Sequence, residues 1–245
     1  MHSLSIPYAS PVLNTLACLS LALLTASFEP AVARSAEAVP GLNEVPLSKL
    51  LEVMIADRSL LAFDARSGGQ IREPLRLDER VLWHGSKGEV GAVLTDQRIL
   101  AVGVGSAAWR VVELQLGEEA PPQAMLGDRV VLVVTTRRAL GFGGQPIRLS
   151  EQALGVQESV LAQRIGENVG VVITDRRALG LSPYQPGFAG IKLWIRESIE
   201  SVSAAANLAT LRSNRRILIF RSSTRSWEER RLDLPTKSSV PSKGD

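Results

Sequence analysis

Thr95-Asp96-Gln97-Arg98-Ile99-Leu100-Ala101-Val102 decides the fold of this chain, because it comes back. Ala56-Asp57-Arg58-Ser59-Leu60-Leu61-Ala62-Phe63 precedes it, and Thr135-Thr136-Arg137-Arg138-Ala139-Leu140-Gly141-Phe142 follows. The fourth copy is Thr174-Asp175-Arg176-Arg177-Ala178-Leu179-Gly180-Leu181 and the fifth Ser213-Asn214-Arg215-Arg216-Ile217-Leu218-Ile219-Phe220. Successive copies start 39, 40, 39 and 39 positions apart in a chain of 245 residues. A strand-rich period near 40 marks propeller blades. The expected fold is therefore all-β: a five-bladed β-propeller of four-stranded antiparallel repeats of about 39 residues.

One repeat shows the construction. Val169 to Thr174 reads Val-Gly-Val-Val-Ile-Thr, a continuous run suited to a strand covered on both faces. Asp175-Arg176 forms a two-residue turn, where Asp tolerates the positive φ of twist-matched hairpins. Arg177 to Leu181 returns as the next strand. A shorter strand precedes the hairpin, and another follows a Pro- and Gly-bearing stretch. The same order predicts hairpins at 51–63, 90–102, 130–142, 169–181 and 208–220 within a propeller spanning 41–234. Each four-stranded unit has two apolar faces, and stacking on two neighbours covers both. A ring that closes leaves no end unit, so closure is expected over an open stack, with the seam between the first and last units resting on side-chain packing alone.

Ser59-Leu60-Leu61-Ala62-Phe63-Asp64-Ala65-Arg66-Ser67-Gly68-Gly69-Gln70-Ile71 resembles a blade of the quinoprotein-type (PQQ-type) propellers, in which such a strand runs through a turn into a strand ending in Trp. Trp109 and Trp227 lie near that tryptophan place. The resemblance implies a propeller whose short first strands line a central channel. It implies no quinone chemistry, and no cofactor is expected. The hairpin around Gly88 to Val102 is also similar to one in bacterial membrane-associated PH-like domains, which do not repeat it five times.

The ends of the chain carry other signals. Leu13 to Phe28 is almost wholly apolar or small, and Ala31-Val32-Ala33 supplies the small residues a signal peptidase requires before Arg34. Residues 1–33 therefore read as a signal peptide cleaved near Ala33, and the protein as periplasmic or secreted, with no transmembrane span after its removal. The single cysteine, Cys18, lies inside this segment, behind a poor lipoprotein box. Cleavage would leave a thiol-free chain, suited to an oxidising compartment. Residues 235–245 read as a short disordered tail. The net charge is +3, with acids and bases interspersed, and aromatics make up 4%, which argues against nucleic acid as a partner.

Arg98, Arg138, Arg177 and Arg216 occupy one place in four repeats, and Ser59 the same place in the other. Guanidiniums in a ring suit carboxylate, sulfate or phosphate, so these four form the candidate site, for an anion or a partner. The competing reading pairs each with an Asp of the hairpin turn as a structural device. His84 stands alone, without the clustered ligands a metal site needs, and no metal is expected. Glu44, Glu197 and Glu200 are the acids a glycoside hydrolase would call on. Trp83, Trp109, Trp194 and Trp227 are the platforms a lectin would use, although inter-blade packing is the commoner fate of such residues. The expectation is an exported, monomeric, non-enzymatic binding or assembly scaffold with a protein or glycan partner. A lectin-like propeller and a glycosidase-type propeller are the alternatives.

Overall fold

A computed structural model describes residues 50–232 of the chain. The expected signal peptide at 1–33, the start of the first repeat at 41–49 and the tail at 235–245 lie outside these residues. Every regular element among the described residues is a strand, and within each sheet strands consecutive in sequence pair antiparallel. The first sheet holds β1 (Leu51–Ala56), β2 (Ser59–Asp64) and β3 (Gln70–Pro74). The second holds β4 (Val81–Lys87), β5 (Val90–Thr95), β6 (Arg98–Gly103) and β7 (Arg110–Glu113). The third holds β8 (Met125–Leu126), β9 (Val130–Val134), β10 (Arg138–Gly143) and β11 (Arg148–Ala153). The fourth is β12 (Val160–Ile165), β13 (Gly170–Thr174), β14 (Arg177–Leu181) and β15 (Ala189–Lys192). The fifth is β16 (Ile199–Ala204), β17 (Leu208–Ser213), β18 (Arg216–Arg221) and β19 (Ser226–Arg231).

Apolar side chains fill the joints between consecutive sheets. Leu60 and Ala62 meet Leu100 and Val102; Ile99 and Ala101 meet Leu140 and Phe142. Val130, Leu132 and Ala139 meet Leu179 and Leu181; Ile173 and Ala178 meet Leu218 and Phe220. Each joint has a direction. The fourth place of the repeated strand is small (Ala62, Ala101, Gly141, Gly180), and the fifth place of the next sheet fills the gap (Val102, Phe142, Leu181, Phe220). A Cβ on Gly180 would stand 2.5 Å from the Phe220 ring, so glycine here permits close approach of two sheets. Gly141 receives Leu181 in the same way.

Burial separates middle from ends. Strands β5, β6, β9, β10 and β13 are buried at every residue. In β1, β2, β17 and β18 buried residues largely alternate with more exposed ones. The expected closing contact is the point of difference: among the described residues, none of the four apolar clusters joins the fifth sheet to the first. Phe63, the equivalent of Phe142 and Phe220, is 38% exposed. The sequence supplies the reason. The notch place of the fifth sheet holds Ile219 where other sheets carry Ala or Gly, so an ordinary joint onto Phe63 would be overfilled.

The hairpin turns also depart from expectation. Only Asp57 and Arg58 take the positive φ of a twist-matched turn. In the other four repeats the first motif residue carries a hydroxyl that organises the turn. Thr95 Oγ1 accepts from Gln97 N and Arg98 N and donates to Arg98 O. Thr135, Thr174 and Ser213 accept the same two backbone N–H groups of their turns, while their single proton goes to a carboxylate. Ala56 has no hydroxyl, so the first turn adopts the backbone-only solution.

Candidate functional site

The four repeated arginines lie inside the fold, each at the start of the third strand of its sheet, at the end where the hairpins turn. Arg98 Nε and Nη2 donate to Glu79 at 2.8 and 3.0 Å, Nη1 to Glu73 at 2.7 Å, and Nη2 also to the Pro74 carbonyl at 2.8 Å. Arg138 binds Glu118 and Glu151 and the Glu113 carbonyl. Arg216 binds Glu197 and Glu229 and the Lys192 carbonyl. Arg177 binds Glu158 and the Ala153 carbonyl. Each carbonyl belongs to the last residue of the last strand of the preceding sheet, so each arginine latches two consecutive sheets together. Ser59 stands in this place in the first sheet, which no described sheet precedes.

The carboxylate side of each latch is equally committed. Glu79, Glu118, Glu158 and Glu197 sit in the loops joining one sheet to the next, 19 or 20 residues before their arginines. Each accepts an N–H from three residues upstream, and Glu118, Glu158 and Glu197 also accept the Thr135, Thr174 and Ser213 hydroxyls. Burial pushes the Glu158 carboxyl upward, but the Arg177 guanidinium, the Gly155 N–H and the Thr174 hydroxyl outweigh it and hold the pKa at about 2. The same opposition leaves Glu79, Glu118 and Glu197 below the ordinary range. The turn Asp and Asn side chains have another task. Asp96, Asp175 and Asn214 accept the backbone N–H groups of Arg80, Ser159 and Ser198, tying hairpin to loop. Of the latch glutamates only Glu197 was a candidate from sequence, as a hydrolytic acid, although all four repeat with the period of the arginines.

A cleft opens at the opposite end of the sheets. Its volume is about 340 Å³, within the range of small-ligand sites. Arg66 from the β2–β3 turn, Arg129 from the loop before β9 and Arg148 at the start of β11 line it, with Gln145, Tyr184 and Pro183. Glu89, buried in the β4–β5 turn, accepts from Arg66 at 3.3 Å, from Arg129 Nη2 at 3.4 Å and from Gln145 at 2.8 Å, with Arg129 Nε also 3.0 Å from its carboxylate. Arg148 donates only to the Tyr184 carbonyl, at 3.2 Å, among the described residues. Three guanidiniums around one carboxylate leave the lining at a formal +2. Glu89 and Arg129 share one place in their repeats, and Arg66, Gln145 and Tyr184 share another, but the residue type changes from repeat to repeat, so no repeated side chain announces the cleft.

Other candidates fall elsewhere. His84 lies exposed on β4. Glu200 pairs with Arg212 at 2.8 Å, Glu197 belongs to a latch, and Glu44 lies outside the described residues. Trp109 is buried, Trp227 Nε1 donates to the Ala189 carbonyl, and Trp194 lies beneath the Arg216 guanidinium at 4.2 Å.

No family model matches the chain, and no curated protein matches it. Solved structures give fold-level likenesses. One is human WBSCR16, at 10% identity and TM-score 0.37, covering 77% of this chain and 66% of that one. Another is yeast RCC1 (Prp20) bound to Kap60, at 9% identity and TM-score 0.35, covering 67% and 52%. A third is YCF48 bound to D1 peptide, at 13% identity and TM-score 0.32, covering 76% and 66%. The chain thus spans about half to two thirds of the length of these structures. At such values it is tied to none of them, and its fold rests on its own sheets.

Proposed function

We propose that the chain is an exported, non-enzymatic binding module whose ligand seat is the cleft at Arg66, Arg129 and Arg148, and that the ligand presents an anionic group. The observation that carries this reading is the excess of guanidinium over carboxylate in a concave lining. Glu89 engages Arg66 and Arg129 but neutralises only one charge. An anion supplies the missing charge and takes the remaining N–H donors as bidentate partners. The side chains of Arg98, Arg138, Arg177 and Arg216, whose placement first suggested anion binding, are taken by their latches, and the same chemistry is available at the other end of the sheets. The quinoprotein-like stretch Ser59–Ile71 enters as a fold motif alone. Export rests on the leader pattern at residues 1–33.

Titration calorimetry with inorganic phosphate and with citrate tests the seat. Arg148→Gln is expected to weaken binding roughly tenfold, the loss of one charge-assisted contact. Glu89→Gln is expected to tighten it, since a negative charge leaves the lining. No binding of either anion, or indifference to both substitutions, would remove the proposal. Amino-terminal sequencing of the protein recovered from the exported fraction tests the leader, with Arg34 as the expected first residue.

A further inference from the structure

The latch end of the sheets carries a second regularity, unrelated to the cleft. Each loop between sheets makes the same four-residue turn: Arg76-Leu77-Asp78-Glu79, Gln115-Leu116-Gly117-Glu118, Gly155-Val156-Gln157-Glu158 and Trp194-Ile195-Arg196-Glu197. The N–H of the last residue donates to the carbonyl of the first, and the third residue has positive φ, from 61° at Asp78 to 70° at Gly117. This is the pattern of a type II turn, which asks for φ > 0 at its third place and favours Pro at its second. Nothing in it asks for an aliphatic side chain at the second place. Yet that place is aliphatic in all four turns, and it is the apex. Leu77 is 85% exposed, Leu116 95%, Val156 88% and Ile195 88%.

The core does not need these side chains. Leu75, Leu114, Leu154 and Leu193, two residues earlier, already pack against the four apolar clusters. Four vertices at equivalent places, on one end of the sheets, have no partner within the described residues. They are isolated convex points, each on its own turn. Protein–protein hot spots are pockets filled by Trp, Tyr or Arg, with Leu and Val under-represented. A fluid acyl layer, in contrast, accepts separate aliphatic points without matching sockets. Trp194, 38% exposed beside Ile195, is an amphipathic ring of the kind that settles at a membrane interface. Arginines and acids nearly balance on this rim, with Arg76 held by Glu113 and Arg80 by Asp96, so attraction to headgroup charge is a minor force.

We propose that this end of the molecule docks on a lipid surface, seating Leu77, Leu116, Val156 and Ile195 in the headgroup–acyl boundary. The docking is peripheral and driven by apolar insertion.

The test uses the full chain and phosphatidylcholine vesicles, with and without bromine on the acyl chains. Tryptophan occurs at 83, 109, 194 and 227 only, so quenching by brominated lipid reads the sheets and not the apolar leader. The expected result is quenching that persists at about 0.5 M salt, where exposed charges are screened within about 4–5 Å. The variant Leu77→Ser/Leu116→Ser/Val156→Ser/Ile195→Ser should keep the unfolding midpoint of the parent and lose partitioning by at least roughly tenfold, the loss expected for withdrawing four side chains from apolar surroundings. Leu116→Trp, the reciprocal change, should deepen quenching. Equal quenching of parent and quadruple variant would overturn the proposal, as would no quenching of the parent. Capture of a protein that depends on the four apices, without vesicle binding, would assign the rim to that protein instead.

Discussion

A latch arginine and its glutamate form one unit, and breaking it from either side strands a charge. Arg138 is 8% exposed and Glu118 fully buried, so Arg138→Ala should lower unfolding free energy by about 3–5 kcal/mol in urea titrations. Arg177 is 26% exposed, and water reaches what it leaves behind, so Arg177→Ala should fall clearly short of that value. Equal losses would mean that burial does not set the strength of these pairs. The same glutamates make the fold acid-sensitive. Glu158 has a folded pKa of about 2 against an ordinary 4.5, so its contribution is complete above pH 4.5 and fades as pH falls toward 2. Glu79, Glu118 and Glu197 shift in the same direction and add to the same acid-side loss. Urea midpoints measured across that range should drop with falling pH, and Glu158→Gln should flatten part of the slope.

At the scale of the strand, what matters is the notch and the residue that fills it. Gly180 admits the Phe220 ring and Gly141 admits Leu181, so two sheets approach more closely than side chains on both would allow. Gly180→Ala should destabilise by about 1–3 kcal/mol, because a stiff ring must move. Gly190 gives the control: a Cβ there meets Leu179 at 3.5 Å, an ordinary contact, and Gly190→Ala should be neutral or slightly stabilising. Thermal unfolding of the two variants side by side checks the pair. The hairpins and their register were readable from the repeated octamer, because alternation and turn residues are local. Their turn type was not, since it depends on the hydrogen bonds that a hydroxyl at the first motif place makes in the folded chain. Thr95, Thr135, Thr174 and Ser213 supply one, and Ala56 does not.

Across the molecule, among the described residues, apolar clusters cover the inner sheets on both faces and the first and fifth sheets on one. The second, third and fourth sheets have neighbours on both sides, while Phe63 and Met54 on the first sheet stay open at 38% and 49%. Stability in such an array is a sum of unit and nearest-neighbour terms, so end units open first. Amide exchange should therefore be faster in β2 and β18 than in β6, β10 and β14. Uniform protection across the five sheets would show a seam sealed as firmly as the joints. Phe63→Ser should likewise change stability far less than Phe220→Ser.

The sequence by itself determined the sheet count, the hairpins and the repeated arginines, because a period of about 39 residues writes the same local pairing five times. It also held the latch glutamates and the aliphatic apices in periodic form, each once per repeat. Only the tertiary structure decided what those arginines do, since a guanidinium bound to a carboxylate 19 residues away and a carbonyl of the preceding sheet looks, in sequence, like one open to a ligand. Only it could assemble the cleft, where Arg66, Glu89, Arg129 and Arg148 come from three consecutive sheets and meet because those sheets stack at close range.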